Sequence, residues 1–557
     1  MTAGKSKITV WLAGAGAGLA MAAFGILSRP AALLLELLPR RYSYYLLGGE
    51  LVPLHSRLLG IYAGLALAMI CAFALWRRHL CRRPDFTFLK TGRGKFLFAV
   101  LVVLALLTVS LSVNRIFWDD EIEHIHAAWY VQDGQVPYRD FFEHHHPLLW
   151  FLLAPLIGLC GETLLVPAVA RLWMLLLAAG IAWLTWRIAR LAGGDAGTGL
   201  LAAAVLFSNC MFLPCVIEVR PDVPMVFLAL AALERLLVFM KEGRAKQLLA
   251  AAFLAALSFL FLQKAIFLFP VAALLLCAWK RSARVPTALF LKSVAVFFLP
   301  LILFAAWLFF SGAGRDYFLF NWRLNVQRQG AYHLWLDVGR LALINVVFWL
   351  SALPAFFRAL RPDRSSAAMR VVAWFAGTVL AALWIMPNPA DRHFLLVLPL
   401  LSVMVSGWAG KQPLVRFRSG AAAIYLAGLL VFPLPFLVGQ GFPWNGAQLE
   451  KMDFVLRHTP ANEKVHDGRN DFNLFRPDLH YFWFQTDPGE MLDQYRRVCG
   501  GIRSDYDVCR LIDAHRPRFV LLNDREWVNC GLWREYSPTL YNGLFLRAAP
   551  SMPEHGD

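Results

Sequence analysis

Long apolar runs separated by short polar breaks dominate this chain. Windows of about 20 apolar residues, the length that crosses a bilayer as a helix, fall near residues 8–27, 57–76, 96–114, 165–186, 198–216, 223–240 and 247–262. Others lie near 264–280, 290–310, 338–357, 369–386, 394–409 and 419–438. The expected fold class is an all-α polytopic membrane protein of about 13 transmembrane helices. Two stretches break the alternation. Leu148–Leu159 is apolar but short, and counting it as a span would carry Arg187 and Arg190 across the membrane, so it reads as an interfacial or re-entrant segment. Residues 28–56, with Pro30, Arg40 and Arg41 around a short apolar run, fit no regular span. Lys5 and Lys7 precede the first run, which is long and lacks a small-residue cleavage site; it reads as a retained anchor.

From about residue 439 the apolar pattern gives way to Asp, Arg, Asn and Glu, and the remainder is long enough for a small domain. Within it RPRFVLLND and EKVHDG read as strands, and MLDQYRRVCGGI and SDYDVCRLIDAH as helices, which predicts a small C-terminal α/β domain. The organisation expected is an N-terminal part over 1–95, a transmembrane module over 96–438 with an outer loop at 115–147, and a soluble extracytoplasmic domain over 439–557.

Composition agrees: 59% of residues are hydrophobic and 16% charged, a balance that excludes a soluble globular protein. The formal charge of +17 does not point to nucleic acid, because Arg and Lys sit in short loops between spans and not on one basic face. Loops holding Arg77 to Lys95, Arg187 and Arg190, Lys241 to Lys246, Lys280 to Arg284, Arg358 to Arg370, and Lys411 to Arg418 share one side, which is therefore the cytoplasm. The loop after the span at 96–114, the region of Arg220, the loop 311–337, the region of Asp391 and the tail then lie outside.

On that outer side the run FWDDEIEHIHAAWYVQDGQVPYRDFFEHHHPLLW, Phe117 to Trp150, crowds carboxylates, histidines and aromatics against a membrane boundary. Ionisable groups there are costly to desolvate and mark a functional site by default. The plain reading of Asp119, Asp120 and Glu121 is the acidic first turn of a helix. A second island, EVRPDVP at 218–224, pairs Arg220 with Asp222, either to pin a helix end or to meet a ligand. Lys264 stands between two apolar runs, and Arg392 and His393 open a late span. Tyr317, Trp322, Tyr332 and Trp335 read as an interfacial aromatic belt. Nine cysteines show no metal-ligand spacing; most lie in apolar spans, and in the tail Cys499 with Cys509 is a disulfide candidate. Three consecutive histidines cannot all face one ion from a regular element, and a carboxylate and imidazole site drawing on Asp120, Glu121 and one histidine is the remaining metal option.

DDEIEH followed by GQVPYRDFFEHHHPL resembles the GT-C glycosyltransferases, within them the bacterial branch related to protein O-mannosyltransferases and to the aminoarabinose transferase that modifies lipid A. The likeness covers about residues 96–440. It implies an inverting transfer of a sugar from a polyprenyl-phosphate carrier to an acceptor hydroxyl, at the outer face of a bacterial cytoplasmic membrane. The partners implied are that lipid-linked donor, membrane lipids, and a glycan, lipid or protein acceptor. On this resemblance Asp120 and Glu121 are the catalytic pair, with Asp120 as the base; Asp119 and Glu123 are neighbours able to substitute for or tune it. The substrate-binding residues implied are Tyr138, Arg139, Asp140, His144, His145, Arg220, Asp222, Lys264, Arg392 and His393. Aligned on Pro147–Leu148, His145 takes the place of a basic residue, and a histidine carries charge only where its surroundings raise its pKa. The branch implies no metal and no cofactor. The competing readings are a transporter or flippase of a lipid-linked sugar, for which inverted repeats and mid-membrane charges are expected, and a non-catalytic scaffold or a hydrolase using the same lipid site.

Overall fold

A computed structural model describes residues 92–547, apart from 328–331, 387–389, 410–419, 441–444, 487–490, 500–504, 523–529 and 532–534. The expected spans near 8–27 and 57–76, the N-terminal anchor and the segment 28–56 lie outside the described residues.

Helix α1 (Gly92–Asn114) shows how the apolar pattern is used. Leu97, Leu104 and Leu111, seven residues apart, are buried, while Phe96, Phe98, Val102, Val103 and Leu106 are exposed. A helix apolar on every side that packs along one stripe presents the rest to hydrocarbon. The polar helix α2 (Asp119–Gln132) and the short apolar α3 (Leu148–Cys160) follow. Then come α4 (Leu165–Leu191), α5 (Ala196–Phe207), α6 (Asp222–Glu242) and α7 (Ala245–Phe261). Next are α8 (Phe269–Arg281), entered through the 3-10 turn Gln263–Leu268, and α9 (Thr287–Phe310). The module continues through α10 (Tyr332–Ile344), α11 (Val346–Leu360), α12 (Ala367–Ile385), α13 (Leu398–Ala409) and α14 (Gly420–Leu430).

Helices α4, α5, α6, α7 and α13 pack side by side as the centre of the bundle, and α2 packs on α3. Small residues permit the closest approach: a Cβ at Gly199 would fall 2.5 Å from the Trp186 ring and 2.9 Å from its carbonyl oxygen, so α5 meets α4 there only as glycine. Among the described residues six helical stretches are long and apolar enough to cross a membrane: those of α1, α4, α6, α8 with its 3-10 turn, α9 and α12. Helices α3, α5, α7 and α13 are shorter apolar helices. The straight span expected at 338–357 is instead a pair, α10 and α11, bent by 90°. Asn345 sits at the break, where its amide bonds the Leu341 carbonyl at 3.0 Å and contacts Cys210. The short apolar segment expected at 148–159 is α3.

The tail forms α15 (Gly446–His458), α16 (Met491–Cys499), α17 (Val508–His515) and a three-stranded antiparallel sheet of order β1-β3-β2. Its strands are β1 (Phe519–Leu521), β2 (Tyr536–Pro538) and β3 (Leu544–Arg547), with Val520 opposite Phe545 and Ser537 opposite Leu546. The strand expected in EKVHDG reduces to one bridge, His466 with Val520. Cys509 is bonded to Cys530, not to Cys499. The tail is tied to the end of the bundle that carries α2. Asn445 donates its amide to the Val113 carbonyl (2.8 Å) and Gln448 brackets Phe117 through both backbone groups. Asp478 accepts from Tyr130 (2.8 Å) and pairs with His126 (2.7 Å).

Candidate active site

The chain turns from α1 into α2 through extended Trp118, and three acids, Asp119, Asp120 and Glu121, form the first turn. Carboxylates favour that position because the leading N–H groups are unpaired and the helix end is positive. Their side chains part company at once. Glu121 turns back into the protein and is fully buried. It accepts from the Trp118 N–H (3.1 Å) and the Val219 N–H (3.0 Å), and takes both arms of Arg171 from α4 at 2.8 and 2.6 Å. The same guanidinium bonds the carbonyls of Ser112, Arg115 and Ile116, and lies 3.8 Å over the Phe117 ring. Glu121 thus joins the end of α1, the start of α2, α4 and the 219 segment, with its oxygens already engaged. Arg171 was not singled out from the sequence, although a lone arginine inside an apolar span, VPAVARLWML, is the signal that finds such a residue.

Asp120 points the other way, into a run of alternating charges. It pairs closely with Arg220, and Arg392 stands 3.4 Å from the same carboxylate oxygen. Arg220 is 3.5 Å from Asp222, whose other oxygen accepts from Lys264 at 2.9 Å. The order is Arg392, Asp120, Arg220, Asp222, Lys264, from four separate places in the chain. Asp120, Arg220 and Asp222 are buried, while the Arg392 side chain is 40% exposed and that of Lys264 21%. Burial draws Arg220 down to about 10 from its ordinary 12.5, reinforced by Arg392 and opposed by Asp222, so it stays cationic at neutral pH. Behind it Arg115 bonds Glu218 at 2.8 Å; burial pushes that carboxyl up to about 7, which Arg115 opposes.

The other expected residues fall nearby but in different company. His144 and His145 gather with Glu123 and Glu143, their ligand atoms all within 4.8 Å of one another. Burial raises Glu123 to about 7 and drives the neighbouring His124 down to about 4. This cluster, and not the pairing of a histidine with Asp120 and Glu121, is the set of described residues placed to hold a metal. Tyr138, buried and in the left-handed region at φ 70°, donates its hydroxyl to the His145 carbonyl at 2.5 Å and so shapes the loop. Arg139 and Asp140 are paired with each other at 2.8 Å in the turn after α2, where Arg139 also reaches the Ser311 carbonyl. His393 follows Arg392 and accepts the Ala390 N–H at 3.2 Å. Tyr317 is no belt residue: it is buried, with its hydroxyl 3.0 Å from His146.

Directly after Lys264, Ala265 and Leu268 line an apolar cavity of about 390 Å³ that runs between α6, α7, α8 and α9 as far as Trp279. The charged run thus ends at the residue that precedes the lining of an apolar trough.

No family model matches the sequence, and no curated protein matches it. The fold is similar to that of ArnT from Cupriavidus metallidurans bound to undecaprenyl phosphate, at 12% identity and a TM-score of 0.59, covering 82% of this chain and 98% of that one. ArnT from the same organism in the apo state gives 13% identity and a TM-score of 0.56, covering 80% and 95%. The likeness is one of fold, and it is to the kind of transferase that the DDEIEH and GQVPYRDFF motifs resemble.

Proposed function

We propose that this GT-C-fold chain is an inverting glycosyltransferase that moves a sugar from a polyprenyl-phosphate carrier to an acceptor hydroxyl at the outer face of the cytoplasmic membrane. The observation that carries the reading is the placement of Asp120 between Arg220 and Arg392, in a charged run that ends beside an apolar trough. The trough takes the start of the polyprenyl tail, which needs apolar walls and no polar partner. Lys264 and Arg392, the more exposed cations of the run, receive the carrier phosphate, and Arg220 supports it from behind.

Asp120 accepts the proton of the acceptor hydroxyl as that oxygen bonds to the anomeric carbon. The bond from that carbon to the phosphate oxygen breaks, its electron pair leaves with the polyprenyl phosphate, and configuration inverts in a single displacement. Cations held in place before the reaction stabilise the charge that develops on the departing phosphate. Asp222 holds Arg220 and Lys264 in position, and Glu121 with Arg171 holds the first turn of α2 and so the aim of Asp120. The fit of ArnT, whose structure contains undecaprenyl phosphate, supports a lipid-phosphate carrier for this chain as well.

The test is sugar transfer by purified protein, from extracted polyprenyl-phosphate sugars to membrane acceptors, with Asp120→Asn alongside the wild type. Loss of transfer by about a hundredfold or more, with carrier binding kept, is expected of a general base. Undiminished transfer in the variant removes Asp120 from that role. Absence of transfer in both proteins, together with passage of the carrier across vesicles, replaces the transferase with a flippase.

A further inference from the structure

A second set of buried donors lies one helical turn beyond Asp120. Glu123 on α2 and Glu143 in the loop before α3 are both fully buried, yet both oxygens of Glu123 and one of Glu143 have no hydrogen-bond partner among the described residues. The remaining Glu143 oxygen accepts the His144 N–H at 3.2 Å. His145 enters between them, its Nδ1 3.2 Å from Glu123 and 3.7 Å from Glu143. Two carboxylates buried against each other with one backbone N–H and one imidazole nitrogen beside them are expensive, so the pair either shares protons or holds a cation.

The donor set decides between cation classes. Two carboxylates and two imidazoles suit zinc and the neighbouring divalent transition metals, whereas magnesium and calcium prefer all-oxygen shells. Four donors on a tetrahedron about 2.0–2.2 Å from zinc are separated by roughly 3.3–3.6 Å. The ligand atoms here already lie within 4.8 Å of one another, so side-chain rotation closes the shell. The backbone carrying the histidines is also held: Tyr138 donates to the His145 carbonyl (2.5 Å) and Asn325 to the His144 carbonyl (3.0 Å). His146 is kept out, since its ring bonds the Phe259 carbonyl at 2.7 Å and the Tyr317 hydroxyl at 3.0 Å. Only two of the three consecutive histidines enter, as the limit on three neighbours sharing an ion requires.

We propose that Glu123, Glu143, His144 and His145 bind one divalent transition-metal ion of the zinc class, which clasps the loop before α3 to α2. This site is separate from the charged run at Asp120 and stands whether or not the chain transfers sugar.

Full-length protein in detergent is stripped with a chelator, reloaded with zinc alone, desalted and measured for metal by mass spectrometry. About one zinc per chain is expected, falling at least tenfold in the Glu123→Gln/Glu143→Gln variant. Wild type that retains no more zinc than this folded variant overturns the site and leaves a proton-sharing carboxyl pair. X-ray absorption on zinc-loaded wild type tests the same point without a variant. Nitrogen and oxygen neighbours with imidazole scattering are expected; sulfur neighbours, or the absence of imidazole, overturn the assignment.

Discussion

Replacing Arg171 by methionine keeps the length of the side chain and removes its charge, leaving Glu121 buried with two backbone N–H donors and no cation. The structure sets the scale of the loss. Two charge-assisted contacts at 2.8 and 2.6 Å disappear, and the carbonyls of Ser112, Arg115 and Ile116 lose a donor together. Breaking a buried ion pair from one side costs about 3–5 kcal/mol, mostly because the surviving charge stays buried. Unfolding of the purified protein in a denaturing detergent series measures it. The double variant Glu121→Gln/Arg171→Met removes the stranded charge, and it is expected to recover about half of the loss, roughly 1.5–2.5 kcal/mol, so that the two single losses do not add. An Arg171→Met protein within about 1 kcal/mol of wild type, or losses that simply add in the double variant, would refute the claim that this pair anchors the first turn of α2.

Lys264→Met removes the cation that Asp222 holds, one residue before the lining of the apolar trough begins. Binding of polyprenyl phosphate is expected to weaken about tenfold, read by titration with the carrier, and unchanged affinity would move the phosphate elsewhere. The Glu218 carboxyl, held near 7 by burial against an ordinary 4.5, ionises less readily in the folded than in the unfolded chain. Its contribution to stability is therefore lost as pH rises from about 4.5 to 7 and is level above that. Melting temperatures of Glu218→Gln across this range should fall less steeply than those of wild type, and parallel profiles would discard the effect. Proteolysis without reduction is expected to yield a peptide joining Cys509 to Cys530. A peptide joining Cys499 to Cys509 would reverse that pairing.

Much of the candidate site is legible in the order of residues. Asp120, Arg220, Asp222, Lys264 and Arg392 were each marked by a charge at the edge of an apolar run, and the fold brings all five into one line. The sequence also marks Glu121, but cannot say that it faces inward, because its partner Arg171 lies 50 residues away on another helix. Glu123 and Glu143 read as members of one acidic stretch, and nothing in their spacing reveals that the loop between them folds back to oppose two carboxylates. Cys530 escaped notice as the partner of Cys509 because the pairing brings together residues 21 apart in the chain, which local sequence does not reveal.

What the sequence determines alone is the membrane solvent, the positions of most helices and the one-sided placement of the polar islands. Those follow from local free energy, since each apolar run or lone charge meets water or hydrocarbon independently of the others. Tertiary structure alone decides the 90° break at Asn345, the separate fates of neighbouring Asp120 and Glu121, and which imidazole meets which carboxylate. Each of these is set by side chains distant in sequence, and a buried charge takes its character from the partner that reaches it.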